Sequence, residues 1–147
     1  MTDPSIQLSL DVDRLIDARP ATVFRLLTEP ELYARWFGPP GAKVTVEEME
    51  LALGGRLLVL IELDDGVAVR IEGFYEVIDP PNLIVHTWRG VGEELVTTVR
   101  FELEPQGEQT RLRIVHVGFV DPVELEQHER GWLELLDEIA ELAPSLG

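Results

Sequence analysis

Three histidines, His86, His116 and His128, are the side chains of this sequence best suited to chemistry near neutral pH. An imidazole can take, give or relay a proton there, and it can ligate a metal. Their spacing narrows the choice. No two of them are four apart, as a helical metal site requires, and His128-Glu129 has no second histidine after it, so a zincin motif is excluded and no metal is expected. Cysteine is absent, which removes disulfides, thiolate nucleophiles and cysteine metal sites. Serine occurs only at Ser5, Ser9 and Ser145, and no nucleophile elbow exists. What remains is proton transfer or hydrogen bonding. His116 is the leading candidate, because it shares a strand face with Leu112 and Ile114 and needs a partner there. Tyr75 is a second acid–base candidate. The alternative for each histidine is a structural ring whose nitrogens are satisfied by neighbours.

Three further features bear on a site. Gly90-Val91-Gly92 is followed by Glu93-Glu94, which would repel a phosphate, so it reads as a hairpin turn. Glu47-Glu48 breaks the alternation of its strand. Either a β-bulge intervenes there or Glu48 turns inward with Val44 and Val46. Gly131 interrupts a helix, at a cost of about 1 kcal/mol relative to alanine. Close approach of a neighbouring backbone or space for a bound molecule would each offset that cost.

The elements that must position these residues follow from periodicity. Ile6, Leu8, Leu10 and Val12 alternate with Gln7, Ser9, Asp11 and Asp13, which predicts a half-buried strand. Residues 18–39 predict two short helices. Pro20 opens the first, along which Val23, Phe24 and Leu27 repeat. Thr28 and Glu31 fit a capping box around Pro30, and Leu32, Trp36 and Phe37 form the apolar stripe of the second. Six strands at hairpin spacing come next, over 43–53, 56–63, 67–79, 83–89, 94–104 and 109–119, and predict an antiparallel meander. Asp121 as N-cap, Pro122 at the first helical position and Glu124 reaching back open a last helix over 122–143. Its apolar face is Leu125, His128, Trp132, Leu136, Ile139 and Ala143.

Composition sets the outer limits. The 147 residues suit one domain, and the longest apolar run, 57–61, is far too short to span a bilayer. The formal net charge of −16 repels phosphate backbones and anionic lipids, so neither nucleic acid nor membrane is an expected partner. The first residues lack a basic segment followed by an apolar one, and a cytoplasmic protein is expected.

Several segments together resemble a known family. They are ARPATVFRLLTEPELYARWFGP, the Gly54-Gly55-Arg56 turn, GFYEVIDPPNLIVHTWRG from Gly73 to Gly90, TRLRIVHVGF from Thr110 to Phe119, and His128 with Gly131-Trp132. Their order and spacing resemble the SRPBCC superfamily, also called the START or helix-grip fold. Within it they resemble the heat-shock-protein-90 ATPase activator homologue family. The resemblance covers nearly the whole chain and implies one α+β domain over 1–147. In that fold a curved seven-stranded antiparallel sheet wraps around a long C-terminal helix, two short helices lie between strands 1 and 2, and an apolar cavity lies between sheet and helix. Related members bind lipids, polyketides or other apolar molecules, and some are cyclases.

The sequence independently supplies walls for such a cavity. Leu57, Val59, Ile61 and Leu63 share one strand face, as do Leu95, Val99, Phe101 and Leu103. Three readings follow. In the first, a small apolar or amphipathic ligand binds between sheet and helix without a cofactor. Trp36, Phe37, Tyr75, His86 and Trp88 line its site or mouth, together with His116, Phe119, His128 and Trp132. The second is a cyclase- or hydrolase-type enzyme using His116 or Tyr75. The third is an interaction module for a chaperone partner or a second copy of the chain, for which Leu58 and Leu60 supply an outward apolar patch.

Overall fold

The computed structural model describes residues 7–146, so Ser5 and Ile6 lie outside the described residues. β1 (Leu8–Ile16) leads into α1 (Pro20–Thr28) and α2 (Pro30–Trp36). Then come β2 (Lys43–Met49), β3 (Arg56–Glu62), β4 (Ala68–Asp79), β5 (Leu83–Gly90), β6 (Thr97–Gln106) and β7 (Gln109–Phe119). The chain ends in α3 (Pro122–Leu142) and a 3-10 turn over Ala143–Leu146. One antiparallel sheet runs in the order β1-β7-β6-β5-β4-β3-β2. Strands β2 to β7 are the expected meander, and β1 returns to pair with β7, so β1 and β2 are the edges of the sheet among the described residues. The α+β helix-grip architecture is therefore the one expected from the sequence.

Alternation decides the two faces of the sheet. On the inner face Leu10, Val12, Leu57, Val59, Val99, Phe101, Leu112 and Ile114 are buried. On the outer face Asp11 pairs with Arg113 at 2.5 Å and Asp13 with Arg111 at 3.6 Å across the β1–β7 ladder. The expected β2 irregularity is present: the register shifts between Val46 and Glu48. Glu48 consequently stays outside and accepts from Arg56 at 3.1 Å.

Local chemistry corrects several sequence expectations. Thr28 is not the cap of α2. Its hydroxyl donates to the Phe24 carbonyl at 2.8 Å inside α1, and Glu29 is the N-cap with φ −104° and ψ 122°. A residue before proline is pushed out of the helical region, so Pro30 places the break at Glu29. At the start of α3 Asp121 does cap, accepting from the Val123 N–H at 3.0 Å, but Glu124 makes no return bond among the described residues. β2 ends at Met49 because residues 50–55 fold into a tight turn, in which a Cβ on Gly55 would lie 2.1 Å from the Glu50 carbonyl oxygen. β6 starts at Thr97, which leaves Leu95 half-buried outside the sheet. It also runs through Pro105. That is tolerated because β5 pairing stops at Leu83↔Glu102, so no strand needs the missing N–H.

α3 lies over the inner face, closest to β1 and β7. Trp132, Leu136, Ile139 and Ala143 point into the core, and Arg14 of β1 pairs with Asp137 on the helix flank.

Candidate functional site

His116 is the centre of a buried relay. It is fully buried on the inner face of β7, as its apolar neighbours Leu112 and Ile114 imply. The Trp132 indole N–H donates to Nδ1 at 3.0 Å. An indole can only donate, so Nδ1 is bare and the ring proton sits on Nε2. Nε2–H then donates to the Thr97 hydroxyl at 2.6 Å, and Thr97 passes its own proton to the Trp88 carbonyl at 3.2 Å. Every group in this chain is satisfied. Burial, reinforced by His128 and His86, holds the His116 pKa down to about 3. The ring makes two hydrogen bonds, one at each nitrogen, as a buried neutral imidazole requires, and neither nitrogen is free to take a proton from a substrate.

His86 is likewise buried, on β5. Its Nδ1 donates to the Thr87 carbonyl at 2.7 Å, and the Thr87 hydroxyl accepts the Phe74 N–H at 2.8 Å. Gly73 permits this distortion: a Cβ there would sit 2.2 Å from the Thr87 carbonyl oxygen. Burial lowers the His86 pKa to about 4. The Tyr75 ring meets His86 edge-on at 5.8 Å, and burial pushes its phenol well up. A tyrosine so disfavoured as phenolate is a poor general base. Tyr33, which the sequence does not single out, is buried and stacked on Phe37 at 5.0 Å, its hydroxyl without a partner among the described residues.

Open space lies beside this packed cluster. An apolar pocket of about 260 Å³ is walled by Phe37, Ile61, Ile71, Trp88, Trp132 and Leu135. Gly38, Pro39, Gln127, His128, Gly131 and Glu134 complete it. A wider, more polar cleft of about 720 Å³ shares Ile71, Trp88, Gln127 and His128 with it, and adds Arg70, Val91, Glu93, Asp121, Val123 and Glu124 among others. Together they form a groove between the β4–β5 end of the sheet and the first half of α3. The groove has a rigid aromatic wall, with Phe37 5.7 Å from Trp88 and Trp88 5.3 Å from Trp132. His128 is its one imidazole. Nδ1 donates to the Glu124 carbonyl at 2.9 Å, so in the neutral ring Nε2 keeps a lone pair, without a partner among the described residues.

The nine sequence candidates thus divide. Phe37, Trp88, His128 and Trp132 line the groove. Tyr75, His86, His116 and Phe119 form the packed layer behind it, with Phe119 4.5 Å from His116 and 4.9 Å from His128. Trp36 serves the fold, its indole donating to the Leu26 carbonyl at 2.7 Å to lock α1 against α2. Thr97 is the partner that sequence reasoning missed. It stands at an inward position in line with Val99 and Phe101, and a polar residue there was the available signal. Leu58 and Leu60 are half-buried, and the Arg56–Glu72–Arg89 and Arg70–Glu47 ion pairs break up the outer apolar patch expected of them. Among the described residues no group of three or more His, Asp or Glu could hold a metal. No described helix is long and apolar enough to cross a membrane.

Residues 17–143, which include both short helices and every residue of the groove, match the model of the activator of Hsp90 ATPase homolog 1-like protein family. The chain belongs to this family. Solved structures share the fold. A protein from Chromobacterium violaceum superposes with a TM-score of 0.86 at 25% identity, over 92% of this chain and 96% of that one. One from Arthrobacter aurescens gives 0.81 at 24% identity, over 99% and 90%. One from Nitrosomonas europaea gives 0.80 at 23% identity, over 94% and 95%. The last two likenesses concern the fold alone. No curated protein matches the chain.

Proposed function

We propose that this activator-homologue protein binds a small apolar or amphipathic molecule in the groove between sheet and α3. Gly131 carries the reading. It sits inside a 21-residue helix, and a Cβ built on it meets nothing within 4 Å. Close approach of a backbone, one of the two explanations for a glycine at this position, is therefore ruled out. Protein interiors close up wherever they can, and here a helix gives up about 1 kcal/mol of propensity beside an aromatic-walled space. Apolar ligand surface entering that space would be stabilised by roughly 25 cal/mol per Å². Catalysis by His116 draws no support from the geometry, since both its nitrogens are engaged.

The test is a fluorescence titration with the neutral dye N-phenyl-1-naphthylamine. Saturable one-to-one binding is expected. Gly131→Leu should weaken it by at least about tenfold by filling the groove, while unfolding stays cooperative. Absence of saturable binding to the native protein overturns the reading.

A further inference from the structure

We infer that the groove selects a cationic amphiphile, an apolar body bearing one protonated amine, over anionic molecules of the same shape. The inference rests on the ligand-binding reading above and is carried by the sign of the groups around the groove. Glu134 stands at the apolar pocket, and Glu93, Asp121 and Glu124 stand at the cleft. His128 adds a free acceptor, because its Nδ1–H is already spent on the Glu124 carbonyl. Few side-chain donors of the lining are uncommitted: the Gln127 amide, the Trp88 indole N–H and the part of the Arg70 guanidinium that Glu47 does not hold. The single cation of the lining, Arg70, is held by Glu47 through two bonds of 2.7 and 3.3 Å.

One feature pulls the other way and is neutralised. The N-terminus of α3 opens at the cleft, and a helix N-terminus attracts anions. Asp121 already occupies that position, accepting the Val123 N–H at 3.0 Å. A carboxylate or phosphate entering the groove would meet four carboxylates against these few donors. An ammonium would find acceptors at the rim and the aromatic rings of Trp88, Trp132 and Phe37 in the wall, whose quadrupoles can attract cations.

The experiment displaces N-phenyl-1-naphthylamine with decylammonium, decanol and decanoate, which share a chain length and differ in charge. Decylammonium should displace the dye at a concentration at least about tenfold below decanoate, with decanol between them. Glu134→Gln should weaken decylammonium about fivefold and leave the neutral dye unchanged. Glu104→Gln, an exposed change on the outer face at the far end of β6, should alter neither. Dye binding without preference for decylammonium overturns the inference and leaves the ligand-binding reading standing. An equal effect of Glu104→Gln also overturns it, since the preference would then reflect the net charge of −16 and not the rim. Failure of the neutral dye to bind removes both.

Discussion

The two halves of α3 present the same kind of face to the sheet and meet opposite fates. From Trp132 onward the face is closed: Trp132 is 2% exposed, Leu136 1% and Ile139 0%. Before Trp132 it is open. Leu125 and His128 are only half-buried, and Gly131 contributes no side chain. What lies opposite sets the difference. The second half runs along β1 and β7, where Leu10, Val12, Leu112 and Ile114 fill the space. The first half stands over Ile71 of β4 and Trp88 of β5; Trp132 and His128 touch the Trp88 ring, and the space beside them stays open as the groove. One half anchors the helix strongly enough that the other can remain unpacked.

The contrast is broken or upheld most directly by truncating a side chain in each half. Ile139→Ala should destabilise the protein by about 2–5 kcal/mol, the lost transfer energy plus the cavity left behind. Leu125→Ala, at a half-buried position on the same face of the first half, should cost less, about 1 kcal/mol. Urea melts of the two variants decide the matter. Equal costs would mean that the first half is packed after all.

Next in size is an effect of pH on the closed side. The folded pKa values of His86 and His116, about 4 and about 3, lie below the unfolded value of 6.5. Between these limits the unfolded chain binds more protons than the folded one. Stability is therefore complete above about pH 6.5 and is lost as pH falls. From pH 7 to 5 each histidine should withdraw about 2 kcal/mol, read from the shift in the urea midpoint. The ion-paired carboxylates of Asp11, Glu47 and Glu72, held below their ordinary values by arginines, do not titrate in that window. Relief of repulsion at net charge −16 acts in the opposite sense, so the melts belong in about 0.3 M salt, where screening is short-ranged. A midpoint unchanged between pH 7 and 5 would contradict neutral burial of the two rings.

How much of this is legible in the sequence follows the same division. The closed half is written in period: alternation along β1, β3, β6 and β7 gives the inner face, and the 3.6-residue repeat gives Trp132, Leu136 and Ile139. Errors fall where one residue outweighs its neighbours, as when Pro30 moves the helix break from Thr28 to Glu29. Parity places His116 inward, but it cannot name partners that arrive from other strands and from α3. Thr97 and Trp132 lie 19 and 16 residues away from it in the chain. The groove is harder to read, because empty space is not a property of any residue. It depends on how far a helix stands from the strands below. Gly131 is its one trace in the sequence, and the trace reads equally well as a close backbone approach until the distances are known.

That residue supplies the smallest effect and the sharpest separation of the two halves. Gly131→Ala adds a methyl group where nothing lies within 4 Å, so no clash offsets the gain in helix propensity. Stability should rise by up to about 1 kcal/mol, as for glycine replaced in a helix interior. The same methyl group projects into the groove beside Trp88 and Leu135, so affinity for the neutral dye should fall by a few-fold. Stability and binding then move in opposite directions at one atom. A packed glycine behaves otherwise: its replacement by alanine lowers stability. If Gly131→Ala destabilises the protein, the first half of α3 is closed like the second, and no groove exists for a ligand to enter.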